Sequence, residues 1–198
     1  IKAREEEEAR KKKWLLNEET RRFLKDHTMW WLAAGFFLVT GPGEAFINNL
    51  GTIIGTLYPP SPGPIVVQTT AATHISIVAI TSTVARIFTG TLTDLLAPVQ
   101  TVHHFRTSAS NSLSSLPPRP GRFTVSRVVF LLEFAFLMSI GQILLASGFI
   151  QNHGERFWIV STFIGAGYGA IFSLTPIAIT VIWGVENFGT NWGVVATV

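Results

Sequence analysis

Cysteine is absent from all 198 residues, so neither a disulfide framework nor a thiolate metal site can form. Charge is scarce as well. Asp, Glu, Lys and Arg together make up 14% of the chain, against about 25% in ordinary soluble domains. The scarcity is uneven, because long stretches carry no ionised side chain at all. With a net charge of only +3, the placement of charge matters more than its size. Catalytic signatures are missing too: there is no His-Glu-x-x-His, no clustered Asp or His pair and no Ser/His/Asp arrangement. These absences argue against an enzyme and leave no residues to hold a cofactor or metal. No Asn-x-Ser/Thr sequon occurs. No cleavable signal peptide is visible: the sequence opens with a charged run, Ile1 to Lys13, and its first apolar stretch is too long for one. A first residue of Ile, and an end at Val198 inside an apolar run, lead us to expect a piece of a longer protein.

What is present is hydrophobic: 47% of residues are apolar and mean hydropathy is +0.38. Four apolar spans cover about residues 28–57, 73–97, 125–150 and 157–183, and a fifth begins near Gly189. About 20 helical residues cross the roughly 30 Å of bilayer hydrocarbon, so each of the four is long enough. Their apolar character is continuous rather than alternating, which selects helices over barrel strands. Trp30 and Trp31 open the first span at an interfacial position. The expected fold class is therefore all-α, a polytopic membrane helix bundle with the lipid bilayer as its first partner.

Residues 1–27 are polar and charged. Glu6, Glu7 and Glu8 stand four residues before Arg10, Lys11 and Lys12, the favourable order for helix-stabilising pairs. Such a run reads as a solvated helix, or as one lying on an anionic leaflet through Lys11, Lys12 and Lys13 with Trp14, Leu15 and Leu16 dipping in. Basic residues concentrate in this segment and in the loop 99–124, which holds Arg106, Arg119 and Arg122. The loop from Tyr58 to Ala72 has none, and the one after the third span has only Arg156. The positive-inside rule then places the N-terminal segment and the loop 99–124 in the cytosol. Thr107–Gly121, rich in Ser and Pro, reads as disordered, and Pro59–Pro64 as a stiff extended turn. Basic residues mixed with acidic ones, or buried, give no support for nucleic-acid binding.

A few ionisable residues lie within the spans: Glu44, Arg86, Asp94 and Glu133, with Asn48, Asn49, His74, Gln142 and Tyr168 around them. Each charge at membrane depth costs about 2.5–3.5 kcal/mol on insertion scales, so such groups face a partner or a wet cavity. Glu44 follows Gly41-Pro42-Gly43, a triplet expected to break or kink the helix. Broken helices at this depth can present backbone groups to a solute. Asn48, four residues on, shares the face of Glu44; the alternative is that both merely join neighbouring helices. Arg86 cannot discharge and needs an anion, whether Glu44, Glu133 or a substrate carboxylate. His74 reads as interfacial and wet. Gly90 and Asp94, four apart at the end of the second span, suggest a gate or clasp in which Asp94 meets cytosolic backbone or a basic group such as Arg127. Glu133, with Arg127 lower on the same helix, suggests an inter-helix ion pair. Gly165-x-Gly167-x-Gly169 has no preceding strand and is no phosphate loop; Gly165 and Gly169 form a small-xxx-small stripe for close helix approach.

Gly41-Pro42-Gly43-Glu44-Ala45-Phe46-Ile47-Asn48-Asn49-Leu50-Gly51 and Leu57-Tyr58 resemble the seventh span of the nodulin-like and monocarboxylate-transporter-like branch of the major facilitator superfamily. Arg86-Ile87-Phe88-Thr89-Gly90-Thr91-Leu92-Thr93-Asp94 looks like its eighth span. Gly165-x-Gly-Tyr168-Gly169-Ala170 and Phe188-Gly189-Thr190-Asn191-Trp192-Gly193 look like the tenth span and the approach to the eleventh. The pattern is most similar to fungal monocarboxylate-transporter homologues of the vacuolar membrane. The resemblance implies most of the C-terminal six-helix half of a carrier, with residues 1–27 as the cytosolic linker and 189–198 as the start of the eleventh span. It implies an Arg at the position of Arg86 that meets a substrate carboxylate. Where those transporters carry a proton-coupling Asp four residues earlier, this chain has Ser82, which leaves Glu44 as a substitute carboxyl. Leu95-Leu96-Ala97-Pro98 replaces the basic cluster that follows the gate Asp.

The expected function is secondary transport of a small, anionic, monocarboxylate-like solute by alternating access, with a proton as candidate coupled ion and the N-terminal half of the same carrier as partner. Arg86, Glu44, Asn48, Asn49 and Tyr168 are the expected cavity residues; Asp94, Gly90, Arg127 and Glu133 are the expected gate and structural ion pairs. The rival is a membrane solute sensor or scaffold on the same fold.

Overall fold

The computed structural model describes residues 18–58, 69–96, 125–185 and 187–197. These form α1 (Glu18–Lys25), α2 (His27–Asn48), α3 (Leu50–Thr56), α4 (Ala71–Leu96), α5 (Arg127–Ala146), a 3-10 turn (Gly154–Arg156), α6 (Phe157–Trp183) and α7 (Phe188–Ala196). No strand occurs among the described residues. The acidic-basic run before residue 18, the Pro-rich turn 59–64 and the Ser-rich loop 99–124 lie outside them.

Three stretches are long and apolar enough to cross a membrane: Ala71–Leu96, Arg127–Ala146 and Gly154–Trp183. The fold is an all-α membrane helix bundle. At its centre is α6, which spans 27 residues or about 40 Å, and it is the most buried of the three. Phe157, Val160, Ile164, Ile171, Leu174 and Ile179 are almost completely enclosed. α4 runs parallel to α6, with Val78 beside Gly165 and Ser82 beside Gly169. α5 runs antiparallel to it, with Met138 beside Gly167 and Ile164 beside Gly141. α2 also runs antiparallel, from Asp26 at Trp183 through Phe36 at Phe172 to Phe46 at Phe157.

The glycine stripe explains how close α4 comes. A Cβ on Gly169 would lie 2.6 Å from Ser82 Cα, and one on Gly165 would lie 2.9 Å from Val78 Cα. Gly167, on the opposite side, leaves room for α5, where a Cβ would lie 2.8 Å from the Phe134 carbonyl oxygen. In lipid there is little hydrophobic drive to hold helices together, so packing at this range carries the association. Several threonine hydroxyls inside the bundle are satisfied along their own helices. Thr89 Oγ1 donates to Ala85 O, Thr93 Oγ1 to Thr89 O and Thr175 Oγ1 to Ile171 O, each at 2.8 Å. This back-bonding lets polar residues enter an apolar core without an orphan donor.

Of the break or kink expected at Gly41-Pro42-Gly43, the break does not occur: α2 continues through Pro42 to Asn48. Gln142 Nε2 of α5 donates to the Pro42 carbonyl at 3.2 Å, a hydrogen bond that ties α5 to α2 at this level. Gly43 serves packing, since a Cβ there would meet Met138 and Tyr168 within 3 Å. The interruption falls at Asn49 instead. Its side-chain amide donates to Ala45 O at 2.8 Å, and its backbone N–H goes to the same oxygen.

Candidate functional site

The three faces of α4 differ in chemistry. His74, Val78, Ser82, Ala85, Thr89 and Thr93 are buried against the bundle. Ser76, Ala79, Thr83, Arg86 and Asp94 recur at three- and four-residue spacing and are exposed, with Gly90 half-buried in the same row. Ile80, Val84, Ile87, Phe88 and Leu95 are exposed on the remaining side. Residues three and four apart share one face of a helix, so a strip of small and charged residues lies between the packed face and an apolar one. Arg86 sits in that strip.

Across from it, Glu44 of α2 and Tyr168 of α6 are joined: the Tyr168 hydroxyl donates to Glu44 Oε1. The link holds because Gly43 allows α2 to rest directly on the Tyr168 ring, and Phe172 supports that ring at 4.7 Å between centroids. Arg86 lies within electrostatic reach of the same hydroxyl. Asn48 is exposed one turn beyond Glu44, on the same side of α2. Three helices thus contribute a cation, an anion and a phenol to one neighbourhood. Asn49 belongs elsewhere: its amide is engaged by Ala45 O at the helix break.

Among the described residues the expected ion pairs are not made: neither Arg86 nor Arg127 pairs with Glu44, Asp94 or Glu133. Asp94 is exposed at the end of α4. Arg127 is half-buried and its Nε has no hydrogen-bond partner. Glu133 is exposed beside Val129, Leu132 and Phe136. Six residues separate Arg127 from Glu133, which sets them on different sides of α5.

His74 is buried rather than wet, at 2% exposure. Its Nε2 lies 2.7 Å from Thr69 Oγ1 and its Nδ1 lies 3.0 Å from Ser161 Oγ, with the ring edge-on to Phe157. Nearby, Tyr58 covers Gly154 and its hydroxyl accepts from the Thr69 N–H. This polar knot ties α4, α6 and the end of α3 together; the sequence offered His74 but no sign of Ser161 or Thr69 as its partners. At the opposite end, Asp26 accepts from the Thr28 N–H at 2.8 Å and from Trp183 Nε1 at 2.9 Å. The Thr28 backbone donor, followed by Trp183, holds its carboxyl below the ordinary carboxylate range.

No family model and no solved structure matches the chain, but curated relatives do. It is 63% identical over 193 residues to "Probable transporter mch1" of Neurospora crassa, an alignment covering 97% of this chain and 31% of that protein. It is 58% identical to "Probable transporter MCH1" of Gibberella zeae, over 93% of the chain and 32% of the relative. Identity to the protein of the same name in Debaryomyces hansenii is 32%, over 86% and 28%. The chain spans about a third of the length of these relatives. It belongs to the fungal MCH1 family of probable transporters, within the monocarboxylate-transporter-like proteins of the major facilitator superfamily.

Proposed function

We propose that this chain forms part of a secondary carrier that moves a small anionic, monocarboxylate-like solute across a membrane by alternating access. The observation that carries the reading is Arg86, a permanent cation on the polar strip of α4, exposed and without an ion-pair partner among the described residues. A guanidinium at membrane depth requires an anion or water, and its planar fork matches a carboxylate. The relatives are named as probable transporters, which supports the activity class but leaves the solute open.

In this reading residues 28–198 supply the seventh to eleventh spans, and the polar strip faces a cavity completed by the other half of the carrier. Glu44, held by Tyr168, takes the place of the missing carboxyl at Ser82 and carries the coupled proton. Asn48 lines the cavity beyond it, and Gly90 with Asp94 stands at the mouth. The N-terminal segment and the loop 99–124 face the cytosol, and the membrane is that of the vacuole.

Replacement of Arg86 by Ala in the full-length carrier tests the reading. Uptake of a short monocarboxylate into proteoliposomes is expected to be abolished while the amount of reconstituted protein stays at the wild-type level. Uptake that survives assigns Arg86 to structure. Saturable binding with no flux in the unaltered protein supports a sensor instead.

A further inference from the structure

α1 has two unlike sides. Thr20 and Phe23 are buried, at 4% and 1% exposure, and the Phe23 ring meets Trp183 edge-on at 5.0 Å. Arg21 and Lys25, one turn apart on the other side, are exposed. The helix is fixed where it lies: Asp26, directly after it, holds both the start of α2 and the indole of Trp183 at the end of α6. The start of α2 and the end of α6 lie at one end of the bundle, and α1 covers that end.

The level of the bilayer surface can be read from the same place. Trp30 and Trp31 are 53% and 79% exposed, and tryptophans facing outward at a span's end sit at the headgroup level. Trp30 Nε1 donates to the Leu24 carbonyl at 2.9 Å, so the last turn of α1 lies against an interfacial ring. The neighbouring carboxylate, Asp26, has its oxygens engaged by Thr28 and Trp183. Arg21 and Lys25 are therefore held at the depth of lipid phosphates.

We propose that the outer side of α1, through Arg21 and Lys25, binds the headgroups of anionic phospholipids in the leaflet at this end of the bundle. Basic side chains near a surface gain from its negative potential within a Debye length. A docked helix meets lipid without the ordering cost that a free segment would pay.

The test uses the full-length carrier in phosphatidylcholine nanodiscs containing a minority of phosphatidylserine, with retained lipids counted by native mass spectrometry. Wild type is expected to retain phosphatidylserine over phosphatidylcholine, and less so at raised salt. The double substitution Arg21→Gln, Lys25→Gln should weaken phosphatidylserine retention by on the order of tenfold and leave phosphatidylcholine unchanged. Arg21→Lys with Lys25→Arg should keep the preference. Equal retention of both lipids by wild type overturns the proposal. So does a glutamine variant that holds phosphatidylserine as tightly as wild type, the result expected if this surface instead docks an acidic protein segment.

Discussion

At the scale of single residues, two carboxylates are held by donors on distant helices. Asp26 caps α2 and reaches Trp183, while Glu44 takes the hydroxyl of Tyr168. Hydrogen bonds to an ionised carboxylate favour the charged form, and for Asp26 the shift is downward. A depressed carboxyl pKa contributes stability that is present above the unfolded value and lost as pH falls through the folded one. Asp26→Asn should therefore unfold at a lower temperature than wild type near neutral pH. The gap should close as the medium is acidified below the ordinary carboxylate range. Thermal unfolding of the two proteins across pH checks this, and a pH-independent gap would assign the effect to packing alone. Glu44 and Arg86 were both conspicuous in the sequence as charges inside apolar spans. Tyr168 could not be matched to Glu44 there, because 124 residues separate the pair and only the docking of α2 on α6 joins them.

Among the elements, α4 and α6 form the tightest seam. The gap at Gly165 and Gly169 is closed by backbone atoms of Val78 and Ser82, which cannot rotate away as a side-chain end could. Overpacking at such a contact costs about 1–3 kcal/mol. Gly169→Ala should lower the unfolding midpoint in detergent accordingly, and a midpoint equal to wild type would show that the seam is loose. The stripe was legible because small residues four apart mark one helix face. Its partner was not, since nothing local to Gly169 says whether α4 or α5 will lie against it. Pro42 teaches the converse. Local chemistry expects a broken or kinked helix there, yet α2 runs through Pro42 without a break, Gln142 bonded to the Pro42 carbonyl and Gly43 packed against Met138 and Tyr168. The interruption moves to Asn49, whose own amide competes for the Ala45 carbonyl.

For the whole molecule, the question is which exposed faces see water and which see lipid. On α4 the two are side by side: Ser76 and Thr83 in the polar strip, Ile80 and Val84 on the apolar side. These 198 residues have no cysteine, so single thiols can be introduced here once any cysteine elsewhere in the full-length carrier is replaced by serine. Cysteine replacing Ser76 or Thr83 should react with a membrane-impermeant maleimide far faster than cysteine replacing Ile80 or Val84. Equal rates at all four positions would remove the cavity assigned to that strip.

From its sequence alone, this protein was bound to be a bundle of membrane helices. Uninterrupted apolar runs of spanning length have only that solution, because lipid supplies no partner for a bare peptide group. Composition also settled which side chains would be costly to place, and so which to suspect. Tertiary structure alone decided their company. Contacts between helices depend on register and crossing, which bring Glu44 to Tyr168 across two of them. Burial of His74 between Thr69 and Ser161 follows from the same docking, since a polar residue near a helix end is wet or enclosed according to what packs over it.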